Sequence, residues 1–139
     1  MACRTNWHRK QARAFTTWHE AVRSGDVDRV RAALNAGADI NALDEHGQTA
    51  LMNAVYRGNT DIAKLLVESS AALNHTAKLR LTALFLAVIG NRPQLVKLLV
   101  DAGADTEIRG SRGQFTLTPL EYARRCGFVE IIEILEHAT

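Results

Sequence analysis

The sequence predicts an all-α solenoid of stacked two-helix units, and three observations predict it. A pattern recurs every 33 residues, so that Thr16, Thr49 and Thr82 fall in register, as do Ala21, Ala54 and Ala87. The composition is rich in Ala and Leu but only 6% aromatic, which favours helices over a β-sandwich. In the second half of the period, Ile62, Leu65 and Leu66 and then Leu95, Leu98 and Leu99 show the i, i+3, i+4 spacing of a helix with one apolar face.

Each unit reads as a first helix, a turn, a second helix and a glycine-punctuated extended finger. The first helices open at Thr16, Thr49, Thr82 and Thr118, where a hydroxyl accepts from a backbone N–H left free at a helix start. They close at Gly25, Gly58 and Gly127. Asn91 holds the matching place in the third unit, and Asn is the other residue that tolerates a left-handed helix end. The second helices align through Val30, Ala63 and Val96 and through Leu34, Val67 and Val100. They stop before Gly37 and Gly103, with Ser70 in the place between. The finger segment AGADIN at 36–41 returns as AGADTE at 102–107. A fourth unit, TPLEYARRCGF, opens at Thr118, three residues later than the period requires.

The 33-residue period, the T-A/P-L-x-x-A openings, the late glycine and the A-G-A-D segment resemble the ankyrin repeat family over residues 14–139. The resemblance implies an all-α ankyrin-repeat solenoid of stacked helix-turn-helix units with β-hairpin fingers. It divides the chain into a basic leader, 1–13, and a single domain with repeats at about 14–46, 47–79, 80–112 and 113–139. Departures are local. Arg80 replaces the glycine found at Gly47 and Gly113, and Ser70 the one at Gly37 and Gly103. The histidine after the opening Leu is kept only as His19, its later counterparts being Met52, Phe85 and Glu121. Glu130, Glu133 and Glu136 at one end and Arg29 at the other read as polar outer faces, with Trp7, Phe15 and Trp18 placed to cover the first helix. The array is therefore expected to be complete at four units.

Composition and motifs exclude several classes of function. The net charge of +2 is a basic leader (Arg4, Arg9, Lys10, Arg13) on a nearly neutral body, too little for a nucleic-acid arm or a transit peptide. No apolar run reaches the ~18 residues of a membrane span. Cys3 and Cys126 are far apart and form no CxxC pair, which points to a reducing, cytoplasmic setting. GADINALDEHGQTAL at 37–51 fails as a calcium loop, since counting from Asp39 puts Leu43, Asp44 and Ala50 where a ligand, a glycine and a glutamate are required. Asp39 is expected to bond to local backbone and fix a turn. HEAVR at 19–23 has Arg23 where a zinc protease needs its second histidine. The histidines at 8, 19, 46, 75 and 137 show no ligand spacing, and His19 is expected to bond to backbone at a helix start. Cys126 follows two arginines, an arrangement that favours a thiolate, but a small residue near a helix end is the simpler reading. RGSRG at 109–113 reads as the third finger, with Gly110 and Gly113 serving the turn. No enzyme activity, cofactor or metal is expected.

In ankyrin-like arrays the finger tips and the exposed sides of the first helices form a concave binding surface. The resemblance thus implies a non-catalytic protein–protein interaction module, or scaffold, acting as a monomer on a folded partner. Transfer by the 33-residue offset gives Leu43, Glu45, His46 and Gln48 on the first finger and Lys78, Leu79 and Leu81 on the second. The third finger supplies Arg109, Ser111, Arg112 and Gln114, and the first-helix ends Tyr56, Arg57, Ile89 and Arg125. Leu79 and Leu81 either meet the partner or pack on neighbouring fingers. Phe115, brought into the third junction by the extra residues, is either an anchor flanked by arginines or folds back over the last unit. The basic bias at this end implies an acidic patch on the partner. A narrower version is a dedicated inhibitor or immunity-type subunit of one enzyme or toxin; nucleic-acid binding and a cryptic hydrolase rank below both.

Overall fold

Helical pairs succeed one another along the chain in a computed structural model, which describes residues 18–138. The leader, Trp7, Phe15 and Thr16 lie outside the described residues, as does the side chain of Gln114. The pairs are α1 (18–24) with α2 (Val27–Asn35), α3 (Ala50–Arg57) with α4 (Thr60–Glu68), α5 (Ala83–Ile89) with α6 (Pro93–Asp101), and α7 (Pro119–Cys126) with α8 (Val129–His137). First helices stack on first helices, α3 on α5 and α5 on α7. Second helices stack in their own layer, α2 on α4, α4 on α6 and α6 on α8. One apolar spine fills the space between the layers, with Val22, Leu51, Leu84, Phe85, Leu66, Leu99 and Leu135 all buried. Trp18 is buried in it as well.

The threonines act where the sequence puts them. Thr49 Oγ1 accepts from the Met52 N–H at 3.2 Å, Thr82 from Phe85 at 3.1 Å and Thr118 from Glu121 at 3.2 Å. Gly58 closes α3 with φ 76°, and Asn91 takes the left-handed conformation after α5 with φ 51°. Among the second helices only α2 has a side-chain cap, Asp26 accepting from Asp28 and Arg29. Asn59, Arg92 and Phe128 provide none, so α4, α6 and α8 depend on packing for their stability.

The fingers depart from the expected β-hairpin: among the described residues no strand forms. The first tip is closed by the Asp44 N–H to the Gln48 carbonyl (2.9 Å) and the second by the Ala77 N–H to the Leu81 carbonyl (3.1 Å). A single closure of this kind is a turn, not a ladder. Side chains tie the fingers together instead. Asn41 Oδ1 accepts from the Ala72 N–H and Asn74 Oδ1 from the Asp105 N–H, each at 2.8 Å. Asp39 accepts from the Asn41 N–H at 3.0 Å, the local turn bond expected of it. The third junction takes up its extra residues in a short 3-10 helix, Gly113–Thr116. Gly113 serves the turn with φ 54°, but Gly110 serves packing, because a Cβ there would strike the Phe115 carbonyl. On the outer face of the last pair, Arg124 and Glu136 form an ion pair at 2.8 Å at positions held by valines in the inner units.

Candidate protein-interaction surface

The first finger is organised by one carboxylate. Asp44 is buried and accepts from the His46 N–H (2.8 Å), the Gln48 N–H (3.0 Å) and Asn53 Nδ2 (3.0 Å). The Arg23 guanidinium approaches it to 3.6 Å and also pairs with Glu45 at 3.3 Å. Burial acts to raise the Asp44 pKa, but its bonds to Asn53, Gln48 and His46 outweigh that and hold it below the usual 3.8. His19 lies buried nearby. Burial lowers its pKa from 6.5 against the opposing pull of Asp44 and of the Leu43 backbone. From the second finger a His75 ring nitrogen meets the Gly47 carbonyl at 3.0 Å.

Beside this network opens a hollow of about 360 Å³ lined by Glu45, His46, Gln48, Tyr56 and Arg57, five of the residues expected to contact a partner. Tyr56 is 71% exposed, a large aromatic surface held on a rigid helix. Leu43 is exposed on the same finger. Arg23 and Asn53 complete the wall, and the sequence reading missed both. The signal for Arg23 was available, since it occupies in the first unit the position of Tyr56 in the second.

On the second and third fingers the structure bears on two alternatives that the sequence left open. Leu81 is only 9% exposed and belongs to the core, so it leaves the contact surface. It immediately precedes the Thr82 cap, where an apolar residue commonly folds over the first turn of the helix. Phe115 is half-buried and folds back: its ring meets Phe85 edge-on at 6.1 Å and stacks on Tyr122 at 6.1 Å. It is a packing residue and not an exposed anchor. Leu79 is half-buried against the core, and Ile89 likewise. Lys78, Ser111, Arg112 and Arg125 are exposed. Arg109 is exposed but occupied, paired with Glu121 at 3.0 Å and donating to the Thr116 carbonyl at 3.3 Å. Arg80, which the sequence reading treated only as a departure from glycine, stands exposed at the second tip. Burial and a hydrogen bond with exposed Cys126 push the Tyr122 hydroxyl pKa up from 10.0.

Among the described residues no three His, Cys, Asp or Glu side chains converge to hold a metal ion, and no helix is long and apolar enough to cross a membrane. Stacked helical pairs with projecting tips define a helical repeat array. The family model for ankyrin repeats (3 copies) matches residues 18–110, and the chain belongs to the ankyrin repeat family. Such repeats generally mediate protein–protein interaction and are typically non-catalytic. No curated protein matches the chain in sequence.

Proposed function

We propose that this chain recognises a folded protein through its finger tips and the exposed ends of its first helices, and that the contact centres on the first finger. One observation carries the reading: Tyr56, 71% exposed, stands over a hollow whose walls are already fixed by the buried Asp44 network. A large aromatic side chain on a prearranged support is the kind of residue that dominates interface energy, at roughly 2 kcal/mol or more when it fills a pocket. Because the support is rigid before binding, little ordering entropy opposes association.

The test is photo-crosslinking in the native host, with a benzophenone amino acid replacing either Tyr56 or Lys64. Lys64 is exposed on α4, in the opposite layer. A discrete protein adduct from position 56 and none from position 64 is the expected result. Adducts from position 64 alone would overturn the assignment of the binding face.

A further inference from the structure

Among the described residues, Lys78, Arg80 and Arg112 are exposed cations that pair with no carboxylate. Two other cations of the fingers and their flanks are occupied, Arg23 by Asp44 and Glu45 and Arg109 by Glu121, while Arg57 and Arg125 lie on first helices and not on a tip. The three unpaired cations sit on two fingers that are joined at their tips. The Ser111 N–H donates to the Leu79 carbonyl at 2.9 Å, so Lys78 and Arg80 flank one end of that bond and Arg112 follows the other. Neither tip segment, 76–81 or 108–115, contains an acid, whereas the first tip holds Asp44 and Glu45. The backbone beneath the charges is fixed by the tip bond, by the Ala77–Leu81 closure and by Leu79 packing on the core. Like charges carried on adjoining tips repel one another until a counter-charge arrives.

We infer that the tips of the second and third fingers form a basic ridge that receives an acidic, Asp- or Glu-rich segment of the partner protein. The inference rests on the proposed recognition face and gives its second half a chemistry. A nucleic acid is the competing polyanion, and the geometry disfavours it. Binding of single strands uses exposed aromatic platforms, and the aromatics of the third junction, Phe115 and Tyr122, are turned into the cluster with Phe85. A protein segment needs only complementary charge placed along the ridge.

The test titrates the full chain by fluorescence anisotropy against labelled oligo-glutamate of about ten residues and oligo-uridine of about ten nucleotides, at about 50 mM salt. The ridge variant is Lys78→Ala/Arg80→Gly/Arg112→Ala, glycine at position 80 keeping the left-handed turn. The control, Arg29→Ala/Arg31→Ala/Lys97→Ala, removes three exposed cations from the second-helix layer. Oligo-glutamate should bind the unaltered chain, about tenfold more weakly the ridge variant, and within about twofold the control. No binding by the unaltered chain, equal losses in both variants, or tighter binding of oligo-uridine would each overturn the ridge. A chain that crosslinks a partner at position 56 yet ignores oligo-glutamate loses only this inference. One that binds oligo-glutamate but crosslinks only from position 64 loses the first-finger reading instead.

Discussion

Ser70 and Arg80 stand where the sister units have glycine, and both keep the glycine's backbone, with φ 68° and 59°. The fold therefore imposes a left-handed conformation that an L side chain resists by roughly 1–2 kcal/mol. Ser70 is exposed, so nothing offsets that resistance. Ser70→Gly should raise stability by about 0.5–1 kcal/mol, the strain relieved less the entropy glycine adds to the unfolded chain, and urea unfolding would show it as a higher midpoint. Leu79, with φ 63°, is a different case, because its side chain packs on the core. Leu79→Gly trades strain for lost burial and should bring no gain in midpoint. If Ser70→Gly lowered the midpoint, the claim that the period dictates backbone conformation at this position would fail.

The helices were legible in the sequence because their signals are local and repeated: a threonine to cap, a residue tolerant of φ > 0 to stop, an apolar stripe between. The fingers were less legible because their outcome is tertiary. Gln48, Leu81 and Leu117 all precede a threonine cap, yet only Leu81 is buried while the other two are half-buried, since the room beneath each decides it. The inserted stretch before Thr118 offers no repeat partner to align with, so the direction of Phe115 could not be read from spacing. What decided it is the pairing of Phe115 with Phe85 and Tyr122 and its close backbone approach to Gly110. Phe115→Ala should accordingly cost stability, about 2 kcal/mol for a half-buried ring that loses two aromatic neighbours. Calorimetric unfolding would check this. A variant of unchanged stability that no longer bound its partner would restore Phe115 as a surface anchor.

Because each pair packs mainly on its neighbours, the array has separable local stabilities rather than one uniform value. Its acid-sensitive groups are not evenly spread. His19 and Asp44 both join α1 to the first finger, and both have lowered pKa values, His19 through burial and Asp44 through hydrogen bonds that outweigh burial. Above 6.5 His19 is neutral whether the chain is folded or not. As the pH falls below 6.5, the unfolded chain takes up a proton that the folded one refuses, and stability drains away until the lowered folded pKa is reached. Asp44 adds stability above 3.8 that is lost only at lower pH, as its folded carboxylate finally protonates. As the pH falls, the histidine's window is the first to open. Asp44 and Glu45 facing His19 narrow its window without closing it, and Arg23 widens it. Hydrogen exchange at about pH 7.5 and about pH 5.5, corrected for intrinsic rates, should then show α1 and α2 losing protection while α5 to α8 keep theirs. His19→Gln should abolish the difference between the two conditions. Protection lost evenly along the array, or a variant as acid-sensitive as the parent, would show that the first unit is not the point at which acid opens this protein.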